Sequence, residues 1–258
     1  MLRNASEVDE YTIAATDGDI GTVSDLLFDD STWLVRWLVV DTGNWLPGRK
    51  VLLPATVLGH LDPLDGKFAV RLTKQQIKDS PDINAERPVS RQMETNIYDY
   101  YGWAPYWSTG FYMGGYGYGG GAIVPSPHLG VEPRGGETHG IPQVNDDRHL
   151  RSIREVTGYH IHASDGDIGH VADMLVEDAD WSIHYLVVDT SNWWLGKKVL
   201  ISPRSARGID WAERLITLNV DRQRVKESPD YDPSTLIDRG YEREFHRYYG
   251  DVQPVTRP

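Results

Sequence analysis

The chain has 258 residues, a formal net charge of −12 at pH 7 and no cysteine. The absence of cysteine excludes disulfides, thiolate catalysis and cysteine-ligated metals. The acidic residues are spread along the chain and no basic block can neutralise phosphates, so we expect no nucleic-acid partner and no binding to an anionic membrane surface. No stretch approaches the ~20 apolar residues that cross a membrane, which predicts a cytoplasmic protein without direct membrane insertion.

The sequence contains one long internal repeat. Residues 11–50 and 159–198 align without a gap and share 22 identities in 40 positions. The similarity continues in weaker form to the motifs "KDSPD" and "KESPD", and both copies end with "YYG". A long period that is present only twice does not fit a solenoid. We therefore predict an internal duplication of one module.

The elements of the two copies are predicted in the same order. Alternating apolar residues indicate strands, and clusters of turn residues end them. In the first copy the predicted strands are YTIAAT, GTVSDLLF, WLVRWLVVDT and GRKVLLP, followed by a hairpin in HLDPLDGKFAVRLT. In the second copy they are YHIHAS, GHVADMLV, WSIHYLVVDT and GKKVLISP, followed by a hairpin in GIDWAERLITLNV. A short helix then begins at the N-cap residue Thr73 or Asp221 and ends at Pro81 or Pro229.

Glycines beside acidic residues predict the tight turns of each copy. Asp17-Gly18 and Asp165-Gly166 suit type I′ hairpin turns, because this pair tolerates positive φ angles. Gly21 and Gly169, three residues later, predict a β-bulge or a close approach of two backbones. We interpret all of these as structural turn residues. The apolar face that would close a small barrel consists of Ile20, Val23, Leu27, Leu38, Val40, Val51 and Leu53, and of Ile168, Val171, Leu175, Leu186, Val188, Val199 and Ile201 in the second copy.

The order of these features resembles the PRC-barrel family. The resemblance is carried by "DGDIGTVSDLLFDD", "WLVRWLVVDTG" and "RKVLLP", and again by "SDGDIGHVADMLVED", "WSIHYLVVDTS" and "KKVLISP". It covers residues 8–82 and 156–230. Members of the family include the cytoplasmic domain of the photosynthetic reaction-centre H subunit and the C-terminal domain of the ribosome maturation factor RimM. The resemblance implies a small antiparallel β-barrel that serves as a docking module, and a reaction-centre-associated role by family analogy alone.

The predicted fold is mainly β, with two small antiparallel PRC-like β-barrels, each followed by a short helix and related by internal duplication. Residues 1–97 are the first module, residues 98–148 are a linker, and residues 149–258 are the second module with a helical tail. The linker is rich in Gly, Tyr, Trp and Pro, which is typical of a spacer. In the tail we expect Tyr241, Phe245 and Tyr248 on one side of the helix.

The aromatic residues of the linker allow two interpretations. The stretch "YYGWAPYWS" could cover an apolar groove, or it could belong to a mobile linker with incidental aromatics. A large aromatic patch left in water would be a liability. We therefore expect it to be buried across a homo-oligomer interface that includes Trp103, Tyr106 and Trp107.

Recurring acids and unmatched histidines are the candidates for chemistry. A calcium loop needs six or more oxygens and a turn of its own, so we interpret the recurring acids as turn and solvated-face residues. The histidines of the second copy could bind a metal, but the first copy lacks them, so the site would not belong to a shared function. We therefore expect no enzyme activity, no metal and no cofactor. The acids are Asp17, Asp19, Asp25, Asp165, Asp167 and Asp173; the histidines are His160, His162, His170 and His184.

Tryptophans beside basic residues are the candidates for partner binding. They lie in "GNWLPGRK", with Trp45 and Arg49, and in "SNWWLGKK", with Trp193 and Trp194. Exposed aromatics next to Arg or Lys are typical of contact hot spots; alternatively, each indole folds back over its own barrel. The preferred interpretation is a non-catalytic scaffold or adaptor that binds proteins and itself. The alternative is a small-ligand or metal-binding sensor that uses the barrel mouth or the His160 strand.

Overall fold

A computed structural model describes most of the chain outside the central segment and the last residues. The described residues are 1–9, 11–62, 66–81, 91–103, 105, 149–190, 197–229, 231–232, 237 and 239–249. The chain divides into two compact units, one made of Met1–Asp82 with His149–Pro258 and the other of Ile83–Arg148. Below, residues 1–82 are called the first half and residues 149–258 the second half; both belong to the same unit.

The first half begins with a short strand and helix and continues as six strands and a second helix. These elements are β1 (Leu2–Asn4), α1 (Ala5–Val8), β2 (Thr12–Ala15), β3 (Gly18–Asp29), β4 (Leu34–Asp41), β5 (Lys50–Pro54), β6 (Leu58–Asp62), β7 (Lys67–Val70) and α2 (Lys74–Lys78), with a 3-10 turn at Ala55–Val57. The second unit contains α3 (Arg91–Tyr101).

The second half has the same kinds of elements in the same order. They are β8 (Leu150–Ser152), α4 (Ile153–Val156), β9 (His160–Ala163), β10 (Gly166–Glu177), β11 (Ile183–Asp189), β12 (Lys198–Ile201), β13 (Ala206–Asp210), β14 (Leu215–Leu218), α5 (Arg222–Lys226) and α6 (Arg239–Tyr249), with a 3-10 turn at Pro203–Ser205.

The strands form two sheets with matching order. One sheet runs β5-β4-β3-β2-β7-β6 and the other β12-β11-β10-β9-β14-β13. The mainly β prediction is confirmed, but the prediction of wholly antiparallel strands is wrong, because β2 pairs with β7 and β9 with β14 in parallel. Among the described residues no pairing joins the two ends of either sheet, so each sheet is an open path rather than a closed hydrogen-bonded barrel.

Each sheet is completed by a strand from the other half of the chain. Strand β1 pairs with the end of β10, and β8 pairs with the end of β3. On β3, Gly18–Thr22 pair with β2 while Leu27–Asp29 pair with β8, and β4 occupies the opposite edge. Since unpaired backbone groups at a strand edge need partners, the far half of β3 obtains its partners from the second half of the chain.

The short helices begin where their cap residues predict. Thr73 accepts a hydrogen bond from the Gln76 N–H while the Gln76 side chain returns to the Thr73 N–H, which completes a capping box before α2. Asp221 caps α5 in the same position: its carboxylate accepts a hydrogen bond from the backbone N–H of Arg224 at 2.7 Å. Both predicted N-caps are therefore confirmed.

The predicted core face is shifted by one residue in the middle of β3. The pairing of β3 with β4 changes register between Val23 and Asp25, which is a β-bulge. As a result Leu26 is buried and Leu27, which the sequence pattern placed in the core, is only half-buried. In the second half the equivalent Leu175 is buried, but in a separate cluster beneath the C-terminal helix. That cluster consists of Leu175, Tyr185, Val187, Leu200, Tyr231 and Phe245.

The predicted helical tail is present as α6 and packs on the outer face of the second sheet. Phe245 is buried, with its ring centre 4.7 Å from that of Tyr185. Tyr241 packs against the same cluster, and the Tyr248 hydroxyl donates to the Arg224 carbonyl at 2.7 Å. Successive side chains of a strand point to opposite faces, so the sheet has a second apolar face opposite the main core. These contacts cover that face.

Two glycines allow the backbones of neighbouring strands to approach closely. A Cβ on Gly21 would lie 2.0 Å from the Asp41 carbonyl oxygen, and one on Gly169 would lie 1.9 Å from that of Asp189. Their φ angles are +153° and +141°, which side chains rarely adopt. The register of β2 with β3 also shifts just before this point, so both the bulge and the close approach occur at Gly21.

The hairpin turns lie one residue earlier than the sequence suggests. Ala15 pairs with Gly18, so Thr16 and Asp17 are the two turn residues. Asp17 does not have the positive φ that a type I′ turn needs, since the non-glycine residues with positive φ in the described part of the chain are Trp33, Trp181 and Arg214. The type I′ prediction is therefore wrong, because Gly18, the residue with φ +129°, is already the first residue of β3.

We expect Gly21→Ala and Gly169→Ala each to lower the free energy of unfolding by at least about 2 kcal/mol, because the new Cβ meets backbone that cannot move without breaking strand pairs. Urea unfolding of the full chain measures the effect. Gly208→Ala is the matched control, since nothing lies within 4 Å of its Cβ position. Equal losses in all three variants would contradict this account.

Candidate interaction surface

The loop between β4 and β5 is held by a buried threonine. The Thr42 hydroxyl lies 2.7 Å from the carbonyl oxygens of both Leu46 and Arg49, and the Trp45 N–H donates to the Thr42 carbonyl at 3.2 Å. The Asp41 carboxylate accepts from the Gly43 N–H at 2.8 Å. These short-range bonds fix the loop before any partner binds, which lowers the entropy lost on binding.

Trp45 is the aromatic residue that this loop presents. Its side chain is half-buried, and the Lys74 ammonium lies 5.4 Å from the centre of the indole. Gly43, Asn44 and Pro47 around it are exposed. An indole that is partly open to solvent beside a cation has the composition of a protein-contact hot spot.

The turn after β2 and the start of α2 lie beside the same loop. The Asp17 carboxylate accepts from the Lys74 N–H at 2.8 Å, while the Lys74 side chain extends over Trp45. Asp165 makes the equivalent bond to the Arg222 N–H, also at 2.8 Å. The predicted turn aspartates thus cap a distant helix, and in the first half this brings turn, helix and loop together. We call Asp17, Trp45 and Lys74, with the exposed loop residues Gly43, Asn44, Pro47 and Gly48, the loop end.

Arg49 has structural contacts within this region. Its guanidinium donates to the carbonyl oxygens of Lys78 and Ser80, just after α2. These bonds tie the β5 side of the loop to the segment after the helix, and the predicted contact role of Arg49 stays a prediction. Of the remaining predicted contact residues, Trp193, Trp194, Tyr106 and Trp107 lie outside the described residues.

Trp103 lies just after α3, in the second unit. Its ring stacks on Tyr101 with a centroid distance of 4.2 Å and an angle of 16° between the planes. Its N–H donates to the Tyr98 carbonyl at 2.9 Å, across Gly102 with φ +68°. This is a left-handed helix end of the kind that glycine favours, and it orders at least the first tryptophan of the aromatic stretch.

Asp25 and Asp173 are not solvated-face residues as predicted. Both are partly buried, and each is hydrogen-bonded to the first turn of a helix from the other half. Ser152 donates its hydroxyl to Asp25 at 2.5 Å, and Ser6 donates its hydroxyl to Asp173. An acid directly before an apolar run, residues 26–28 and 174–176, at the same place in both copies, is the signal in the sequence that could have indicated a buried role.

The environments of these acids shift their pKa in different directions. Desolvation raises the pKa of Asp25 and of Asp173, and the hydrogen bonds from the serines and backbone only partly offset it. For Asp29 desolvation acts in the same direction, but donors from Ser31, Thr32 and Arg36 outweigh it and lower the pKa of this carboxyl. Arg36 lies 3.2 Å from the Asp29 carboxylate.

Two histidines of the second half lie beside acids, and the other two lie beside one another on neighbouring strands. His162 lies 2.7 Å from the Asp167 carboxylate, and His184 lies 3.9 Å from that of Glu242 on α6. His160 and His170 are cross-strand neighbours. Over the described ranges, no three His, Asp or Glu side chains are grouped closely enough to hold a metal ion, and none of the described helices is both long and apolar enough to cross a membrane.

Comparison with known proteins identifies the first half. Residues 3–77 match the PRC-barrel domain family, which confirms the resemblance for this part of the chain. An uncharacterised protein of Deinococcus radiodurans is 37% identical over 78 residues, which cover 30% of this chain and 28% of the relative. The chain therefore matches less than a third of the length of that relative. The resemblance of residues 156–230 to the family stays a prediction.

We expect opposite pH dependences for Asp25→Asn and Asp29→Asn. A raised pKa in the folded state gives stability that is present below about pH 4 and is lost as pH rises through the folded pKa. The stability of the wild type relative to Asp25→Asn should therefore fall as pH rises above about 4. A lowered pKa gives stability that is fully present above about pH 4 and is lost as pH falls through the folded pKa, so the stability relative to Asp29→Asn should fall as pH drops below about 4.

Urea unfolding of the wild type and both variants at several pH values measures these differences. Asp173→Asn serves as the control for the Asp25 result, because its pKa is raised for the same physical reason. Parallel curves for Asp25→Asn and Asp29→Asn would contradict the assignment.

Proposed function

Since residues 3–77 match the PRC-barrel domain family, we propose that the chain is a non-catalytic adaptor built from two such modules that arose by duplication, and that its loop end binds a protein partner. The observation that carries the proposal is the prearranged Trp45 beside Lys74. A half-exposed indole on a hydrogen-bonded loop gives contact area to a partner at little entropic cost. The acidic net charge of −12 favours a protein surface over a phosphate backbone.

The exposed neighbours of Trp45 support the same proposal. Asn44 and Pro47 leave the rim of the loop open, while Thr42 beneath it is buried. Binding at such a site concentrates its energy in one aromatic residue that is surrounded by nearly neutral contacts. Lys74 adds a cation at the edge of the indole, which suits an acidic or carbonyl-rich partner surface.

We expect Trp45→Ala to reduce partner binding at least tenfold, since removal of a hot-spot aromatic costs about 2 kcal/mol or more. The full chain is used to capture partners from the native organism, and the affinity of each purified partner is then measured by calorimetry. Asn44→Ala, one residue away and exposed, is the matched control and should bind within about twofold of the wild type. Equal binding by Trp45→Ala, with its thermal unfolding unchanged, would remove the loop end from the proposal.

Self-association is the second part of the proposed function. Tyr100 is 41% exposed at the end of α3, and Trp103 is ordered against Tyr101 beside it. An aromatic surface of this kind suits a contact with a second copy. The homo-oligomer interface including Trp103, Tyr106 and Trp107 therefore remains part of the proposal.

We expect deletion of residues 103–121 to convert an oligomer to a monomer while the sheets remain folded. Light scattering measures the mass, and circular dichroism checks the fold. Tyr100→Ser removes an exposed ring without shortening the chain and should weaken the assembly in the same direction. If the intact chain is already monomeric at micromolar concentration, self-association through this stretch is excluded.

A further inference from the structure

The two halves of the chain exchange their first elements reciprocally. In β1, Leu2 and Asn4 pair with Glu177 and Leu175 of β10. In β8, Leu150 and Ser152 pair with Asp29 and Leu27 of β3. The helices that follow, α1 and α4, lie against the strands that receive them. Neither half therefore keeps its own leading strand and helix on its own sheet.

The exchanged segments carry matching ion pairs. Arg3 lies 3.3 Å from the Asp178 carboxylate, and Arg151 lies 3.2 Å from that of Asp30. All four side chains are at most 26% exposed, so solvent screens these pairs less than open surface pairs. The Arg151 guanidinium also lies 4.1 Å from the centre of the Trp211 indole. This contact holds the guanidinium against the second half.

Hydrogen bonds to Asp25 and Asp173 have the same reciprocal arrangement. The Arg154 N–H donates to Asp25 at 3.3 Å, and the Ser6 N–H donates to Asp173 at 3.2 Å. The hydroxyl donors come from different positions in the two segments, since Ser152 precedes its helix and Ser6 lies within it. Each carboxylate thus receives both a backbone and a hydroxyl donor, although the sequences that supply them differ.

The hairpin turns after β3 and β10 join the halves at a third place. The Val35 N–H donates to the Trp181 carbonyl, and the Ile183 N–H donates to the Trp33 carbonyl, each at 2.8 Å. Both tryptophans have positive φ, 58° and 62°, which is strained for a bulky side chain. A strained backbone of this kind persists only when the surrounding contacts hold it, and here those contacts include the other half.

We infer that each half is a binding partner for the other, that this reciprocal interface holds the halves together without the central segment, and that a half accepts its complement equally from a second copy of the chain. Except for the Arg151–Trp211 contact, which lies within the second half, the contacts above join the first half to the second, and none involves residues 83–148. A separated half would leave a partly buried carboxylate without its donors and a strand edge without its partner, both of which are unfavourable. The inference does not depend on the loop end or on its partner.

The test uses the full chain with a specific protease site inserted between Gly120 and Gly121. After cleavage of the folded protein, size-exclusion chromatography with light scattering shows whether the two fragments stay together. We expect them to co-elute in equal amounts at micromolar concentration. When cleaved protein is mixed with an isotopically labelled cleaved sample, mass spectrometry should detect complexes with one labelled and one unlabelled fragment. Fragments that elute separately as folded species would overturn the inference.

Variants at the interface show which contacts hold the fragments. Asp25→Ala with Asp173→Ala should accelerate fragment exchange at least tenfold. Arg3→Asp is a milder change that should also accelerate it. Asp41→Asn is the control, since the carboxylate of this exposed acid is hydrogen-bonded within its own loop, to the Gly43 N–H. Co-elution with exchange rates unchanged in every interface variant would likewise overturn the inference.

Discussion

Pairing of the far edge of β3 and of β10 is the constraint on which the rest of this structure depends. Each of these strands is twelve residues long, while the neighbour from its own half covers only its beginning on that edge. Backbone groups along the remaining edge need partners, and the exchanged strands β8 and β1 supply them. Helix α4 follows β8 directly in the chain, and α1 follows β1. Once β8 and β1 are in place, the starts of these helices bring N–H and hydroxyl donors to Asp25 and Asp173.

The same constraint separates what each end of a sheet can do. The ends that contain the exchanged strands are occupied by contacts between the halves. At the loop end of the first half, by contrast, the hydrogen bonds described above for Thr42, Asp17 and Arg49 stay within that half. Trp45 can therefore meet a partner without disturbing the contacts that join the halves, which is consistent with an adaptor in which stability and recognition use different surfaces.

Much of each half could be predicted from the sequence because the relevant signals are local. The strands alternate over a few residues, the caps at Thr73 and Asp221 lie three residues from their donors, and Gly21 marks its own bulge. The parallel pairing of β2 with β7 has no local signal, since it depends on a strand more than fifty residues away. The shift from Leu27 to Leu26 follows from a bulge that no glycine marks.

The candidate site was predictable to a similar extent. The loop with Trp45 could be recognised from the neighbouring basic residues, but the role of Arg49 depends on where α2 ends in space. Likewise, Asp25 reads as a surface acid until Ser152, 127 residues later in the chain, is placed beside it. Contacts between distant segments decide these roles, and a single copy of the repeat carries no information about them.

The reciprocal exchange also sets the order of events during synthesis. Strand β1 is made about 170 residues before the part of β10 that receives it. At roughly 5–20 residues per second this interval lasts on the order of ten to thirty seconds. Until β8 has left the ribosome, the first half has an open edge on β3. The nascent chain therefore carries an exposed strand edge on β3 while about 120 further residues are made, and a neighbouring nascent copy is the nearest source of a matching segment.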